Sequence, residues 1–237
     1  MKIAIISDIH GNDVALKKIL KEFSDYNYII NLGDTVGDQG DSDAVIEFLN
    51  NKKSRSILGN HDIEVLLDRS IGADRFTAEM LYQTKETYGK KVSLKPENIK
   101  FLKSLKPNFK FKRSEIIFGF YHSFYDFYKG EIFFESVKKN TNNAISLLEK
   151  AGCDILFIGH THIPQLILAD KNNDIRYINI KENVTIEYSH QTKYIINVGS
   201  IGSSRDPKIV YSYAVVDTET KKIQFIINKK RFHSYRL

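Results

Sequence analysis

The chain has no tryptophan, a single cysteine and four prolines. The lone Cys153 cannot form a disulfide within the chain; it precedes an apolar strand, where a small buried thiol is expected. With so little proline, no Pro/Gly linker marks a domain boundary, and no internal repeat or low-complexity tract appears. No stretch approaches the roughly 20 apolar residues that a membrane helix needs. Met1 runs straight into the strand-like "KIAIIS" without a signal-peptide core, so a cytoplasmic protein with no membrane partner is expected.

What is present is a chain of 237 residues, enough for one well-buried α/β domain spanning 1–237 and rather short for two. Its formal net charge is +6. The lysines are spread over "LKKILKEF", "NKKSRS", "GKKVSLK" and "INKKRFHSYRL", which read as solvated faces that steer anionic substrates. Nothing resembles a helix-turn-helix, a zinc finger or an aromatic RNA platform, so no stable nucleic-acid complex is expected.

The front half alternates between strand and helix patterns. Strand "KIAIIS", a helix from about Asn12 to Ser24, strand "YNYIINL", a helix from about Asp43 to Asn51 and strand "RSIL" give the rhythm of a parallel sheet with covering helices. Residues 75–104 read as helical with a break at "GKKVSLKP", Pro96 suiting a first helical turn. After "EIIFGFY" and a helix near 135–151, short strands take over, which suits a mixed sheet facing a second, more antiparallel one. A helical insert at about 63–105 and an extra hairpin at about 170–193 are candidate specificity elements, dimer surface or scaffold.

The chemistry lies where the strands stop. "IAIIS" ends at Asp8, "YIINLG" at Asp34, "SILG" at Asn60, "IIFGFY" at His122 and "LFIG" at His160, and in open α/β sheets ligands collect at such carboxyl ends. His10, His61 and His162 follow one or two places on, while His190 and His233 read as surface residues. In "GHTH" the side chains of His160 and His162 would project to one side if the extended conformation continued past Gly159. Carboxylate, amide and imidazole without thiolate suit Mn, Fe, Zn or Ni better than Mg or Ca. There are too many ligands for one tetrahedral ion; two divalent ions about 3.5–4 Å apart, sharing a carboxylate, would use them all.

In order and spacing, "DIH" (8–10), "GD" (33–34), "GNHD" (59–62), the isolated His122 and "GHTH" (159–162) resemble the motif set of the calcineurin-like metallophosphoesterase superfamily. "NVGSIGSSRD" (197–206) is similar to a segment of its small prokaryotic YfcE-like phosphodiesterase branch. The resemblance implies a four-layer α/β/β/α sandwich of two mixed β-sheets flanked by helices. It implies that Asp8, His10 and His162 hold one metal, that Asn60, His122 and His160 hold the other, and that Asp34 bridges them. Manganese is the foremost candidate. It further implies in-line attack by a metal-bridging hydroxide, with His61 protonating the leaving oxygen.

Departures from the family pattern bear on the substrate. Where protein phosphatases of the superfamily carry "GDxVDRG", this chain has "GDTVGDQG", with Gly37 at the orienting aspartate and Asp38 at the phosphate-gripping arginine. The missing clamp favours a diester or nucleotide polyphosphate over a monoester. Asp38 and Asp62 are the candidates to orient His61, and Arg205 is the candidate substrate cation. Val198 replaces the branch's proline, and Phe124 and Tyr125 are candidates to stack on a nucleobase. The alternatives are a phosphomonoesterase or phosphoprotein phosphatase and, from another class, a non-catalytic metal-binding scaffold like the retromer subunit of this fold. A homo-oligomer is compatible with each.

Overall fold

The computed structural model describes residues 1–23, 25–51, 54–66, 93–123, 125–126, 130–131, 142–172 and 174–230. Strand β1 (Lys2–Ile6) is buried from Ile3 onward, the pattern of a strand covered on both faces. It pairs in parallel with β2 (Tyr28–Asn31), and β2 pairs in parallel with β3 (Ser54–Ser56). Helix α1 (Asp13–Leu20) starts where Asn12 Oδ1 accepts the Ala15 N–H at 2.9 Å, and α2 is Ser42–Asn51. Leu16 and Ile19 of α1 and Val45 and Leu49 of α2 pack on Ala4, Ile6 and Ile29, closing the outer face of this sheet. Where the helix is expected to run to Ser24, a 3-10 turn takes over at Lys21–Phe23, and Ser24 lies outside the described residues.

Helix α3 (Asn60–Leu66) follows β3, and α4 (Pro96–Ser104) begins at the expected proline. They meet through Leu66 and Leu102, against Val36 and Ile46. The part of the helical insert at 67–92 lies outside the described residues, as does the start of the helix expected near 135. Strands β4 (Asn108–Arg113) and β5 (Ile116–Tyr121) form a hairpin, and two-residue strands β6 (Tyr125–Asp126) and β7 (Gly130–Glu131) pair with each other. Helix α5 (Asn142–Ala151) leads into β8 (Ile155–Ile158).

The last third, β9 (Gln165–Ala169), β10 (Ile175–Asn179), β11 (Val184–Glu187), β12 (Lys193–Asn197), β13 (Ile209–Asp217) and β14 (Lys222–Lys229), is divided between two sheets. Their orders are β11-β14-β13-β1-β2-β3 and β10-β9-β12-β8-β5-β4. Both are mixed, and the second is no more antiparallel than the first, because β12, β8 and β5 run parallel. The hairpin expected at 170–193 does not form as one unit: β10 pairs with β9, and β11 crosses to the other sheet to pair with β14. Between the sheets lie Ile3, Ile5, Phe118, Phe120, Phe157 and Phe225, each contributing about 2 kcal/mol by burial. Leu148 and Ala151 of α5 cover the second sheet's outer face, completing the α/β/β/α layers. The buried Cys153 thiol belongs to this last layer, where burial pushes its pKa up to about 11. Among the described residues no helix is long and apolar enough to cross a membrane.

Candidate metal centre

The loops leaving the carboxyl ends of β1, β2, β3, β5 and β8 meet at one end of the sandwich. Their backbones are unusual. Asp8, His10, Asp34, His160 and His162 all have positive φ, between 50° and 67°, a left-handed conformation that costs a non-glycine residue about 1–3 kcal/mol. Neighbouring bonds offset that cost. Asp8 N–H donates to Gly33 O and His10 N–H to Asp34 O, tying the first two loops together, and His160 N–H donates to Asp8 Oδ2 at 2.9 Å. Two glycines allow the approach: a Cβ on Gly59 would stand 2.2 Å from Asp34 Oδ1, and one on Gly159 would stand 2.4 Å from Asp8 Oδ2.

The side chains form two clusters that share one residue, Asp8, His10, Asp34 and His162 in the first and Asp34, His122 and His160 in the second. In the first, His10 Nε2 and His162 Nε2 face each other at 3.0 Å, and Asp8 Oδ1 lies 3.3 Å from His162 Nε2. In the second, Asn60 Oδ1 lies 2.9 Å from His160 Nδ1 and 3.0 Å from His122 Nε2. Asp34 Oδ2 stands between them, 3.7 Å from His10 Nε2 and 3.4 Å from His122 Nε2. The two histidines of "GHTH" thus serve adjacent points rather than one, because their left-handed backbone turns them apart where an extended strand would not.

These groups fit a cation. Asp8 Oδ1 is buried without a hydrogen-bond partner, which is costly for a carboxylate unless a positive charge faces it. His122 Nδ1 bonds to the Leu32 carbonyl at 2.9 Å and His162 Nδ1 to the Ser203 carbonyl. A carbonyl only accepts, so Nδ1 is the protonated nitrogen and Nε2 turns a lone pair inward when the ring is neutral. Burial would raise Asp8 and Asp34, but the charges of His162 and of His122 and His10 outweigh it and hold both carboxyls well below the usual range. Burial pulls His10 down to about 4, so its ring is neutral and able to ligate. His122 moves the other way: burial is outweighed by the Asp34 carboxylate, which lifts it to about 10.

The other predicted residues are distributed around these clusters. His61 follows Asn60 in α3; its N–H donates to Asp34 Oδ1 at 2.9 Å, and its ring meets that of His10 edge-on at a 4.7 Å centroid distance. Both carboxyl oxygens of Asp62 are engaged by backbone N–H groups, Oδ1 by Thr35 and Val36 and Oδ2 by Gly59. Burial and the charge of Asp34 push Asp62 up to about 7 against the pull of those donors. Asp38 is exposed and accepts from Gln39 Nε2. The carboxylate beside His61 is one that sequence reasoning missed, Glu64, with Oε2 3.9 Å from His61 Nδ1. Its i,i+3 spacing on a helix was the available signal.

Arg205 is exposed, its N–H donates to His162 O, and its charge opposes protonation of His162. Asp206 turns its carboxylate to the Lys208 N–H instead of to Arg205. Val198 N–H donates to Ile158 O at 3.0 Å, a bond that the branch's proline cannot make. Asn197 Nδ2 donates to Gly159 O and Thr161 Oγ1, fastening the "GHTH" loop to this segment. Phe124 and the Tyr125 side chain, like His233, lie outside the described residues.

A four-layer sandwich with mixed nitrogen and oxygen ligands gathered at its strand tips defines a metal-dependent hydrolase of phosphoric esters. The calcineurin-like phosphoesterase superfamily domain matches residues 1–221, and the chain belongs to that superfamily. It is 30% identical, over 94% of its length and 86% of the relative's, to an uncharacterized protein of Methanocaldococcus jannaschii. A metallophosphoesterase from Sphaerobacter thermophilus has a similar structure, with a TM-score of 0.72 and 25% identity over 98% of this chain and 89% of that one. A hypothetical protein of Pyrococcus horikoshii shares the fold, with a TM-score of 0.60 and 18% identity over 97% of this chain and 88% of that one.

Proposed function

We propose that the chain is a two-metal phosphoesterase acting on phosphodiesters or nucleotide polyphosphates, with manganese the foremost cation and iron, zinc or nickel as alternatives. The observation that carries this reading is that Asp34 belongs to both ligand clusters. Asp8, His10 and His162 would hold one cation, Asn60, His122 and His160 the other, and Asp34 both. Cations bound there supply charge neutralisation at phosphorus and an activated water for in-line displacement.

The chain's own groups do the remainder. His61, through its N–H, keeps Asp34 Oδ1 fixed so that Oδ2 faces the two clusters. Its imidazole, a quarter exposed, gives its proton to the leaving oxygen, with Glu64 beside it. The exposed Arg205 offers a donor fork to a phosphoryl oxygen beside His162. Asp38, exposed on the loop that hydrogen-bonds back to His10 O, disfavours a monoester, which carries about two negative charges at neutral pH.

The test compares manganese-reconstituted protein on bis-p-nitrophenyl phosphate and p-nitrophenyl phosphate, with Asp34→Asn as the blank. Faster turnover of the diester, abolished in the blank, is the expected result. A faster monoester would move the reading to a phosphomonoesterase, and no turnover of either to a metal-binding scaffold.

A further inference from the structure

The sandwich also has a cleft along one edge, between β3 and β4. At the starts of β1, β2 and β3, beside β4, this cleft of about 350 Å³ lies between the edges of the two sheets. It exists because both edge strands are short of partners: β3 has three residues, and a lone bridge between Ile57 and Lys106 joins its end to the segment before β4. Ile3 and Ile30 line the cleft from the first sheet and Phe109 and Phe111 from the second, with Tyr28 and Arg55 also on its wall. On the β1 wall, Ile3 precedes Asp8 by five residues, a span of at most roughly 16 Å along the strand direction.

Arg55 gives the cleft its chemistry. Its guanidinium carbon stands 3.9 Å from the centroid of the Phe109 ring, a stacking geometry that orients the group. Among the described residues it forms no ion pair. A second cavity of about 270 Å³ shares Arg55 and Phe109 and adds Lys106. An oriented cation thus stands between two ligand-sized volumes, the larger one walled mainly by aliphatic and aromatic side chains. Inorganic anions would leave that apolar wall wet, and neutral apolar molecules would leave the cation unused.

The geometry points to a second binding site here, for a small organic carboxylate with an aromatic or branched apolar body. The carboxylate pairs with Arg55 and the body lies on Tyr28 and Phe111, over the buried Phe109, Ile3 and Ile30 at the cleft's floor. This site is separate from the metal centre and does not depend on what the metal centre hydrolyses.

The test is calorimetric titration of the full chain with 2-naphthoate in the presence of excess inorganic phosphate, which competes at the metal centre. One-site saturation is expected, retained in Asp34→Asn, at least tenfold weaker in the exposed-site variant Arg55→Gln, and at least tenfold weaker for the uncharged 2-naphthamide on the unaltered protein. The amide comparison needs no variant to fold. Absence of saturation at millimolar naphthoate, displacement by phosphate, or equal binding of acid and amide would each overturn the assignment, as would undiminished binding to folded Arg55→Gln.

Discussion

Glu64 Oε2 lies 3.9 Å from His61 Nδ1, one helical turn further along α3, and each side chain is about a quarter exposed. A carboxylate at that nitrogen favours the ring orientation and tautomer in which Nδ1 carries a proton, leaving Nε2 for exchange with a substrate oxygen. Glu64→Gln should therefore lower kcat about tenfold for a diester with an alkoxide leaving group while leaving KM nearly unchanged. Turnover of a p-nitrophenyl ester, whose leaving group needs little protonation, should barely change. Equal loss on both substrates would remove Glu64 from this role.

Asp62 fastens the loop after β2 to the loop after β3 through three backbone N–H groups. Asp62→Ala leaves those donors unsatisfied in a buried place, and a loss on the order of 3 kcal/mol is expected in chemical denaturation. Asp62→Asn should recover only part, because its NH2 group meets an N–H where the carboxylate met it with an oxygen. An unchanged denaturation midpoint in Asp62→Ala would show that water replaces the carboxylate at no cost.

Removing metal should destabilise the fold as well as stop turnover. Asp8 and Asp34 are buried together, and without cations their charges are offset by the neighbouring imidazoles and by one backbone N–H each, from His160 and His61. A cation held at a hundred times its Kd adds about 2.7 kcal/mol. For a chain of this length that is a fall in Tm of about 5–10 °C on chelation, reversed by manganese. A thermal scan with the same midpoint in chelator and in manganese would count against a buried metal centre.

Acid should weaken the second sheet at a particular place. Asp154 accepts from Ile117 N at 2.8 Å and from Lys193 Nζ at 2.5 Å, and despite the opposing effect of burial these bonds hold its pKa below the usual aspartate range. A depressed folded pKa stabilises above the unfolded pKa and is lost as pH falls through the folded one. Asp154→Asn should therefore cost about 1–2 kcal/mol near neutrality and progressively less below about pH 4. A destabilisation independent of pH would assign the effect to packing.

The residue types at the strand tips were legible because few other roles place Asp, Asn and His together after apolar runs, and the structure brings them to one end of the sandwich. The left-handed backbone at Asp8, His10, Asp34, His160 and His162 was not legible, since residue type announces positive φ for glycine but seldom for histidine. The division of "IRYINI" and "VTIEY" between two sheets was equally hidden, because alternation marks a strand without naming its partner. Glu64 escaped because the meaning of its spacing depends on α3 starting at Asn60.

Substrate choice should respond to the loop that departs most from the family pattern. A Cβ on Gly37 would stand 2.7 Å from both Cα and Cβ of His10, so an aspartate cannot be restored there without displacing a candidate ligand. Asp38 is different, being exposed and bonded only to the adjacent Gln39 among the described residues. Asp38→Arg reverses the charge without disturbing packing, and a guanidinium there would favour a dianionic monoester over a monoanionic diester. The ratio of p-nitrophenyl phosphate to bis-p-nitrophenyl phosphate turnover, compared as kcat/KM, should rise about tenfold, and the gain should shrink in high salt as the new charge is screened. An unchanged ratio would mean that position 38 faces away from the bound phosphoryl group, leaving Arg205 as the charge that sets the preference.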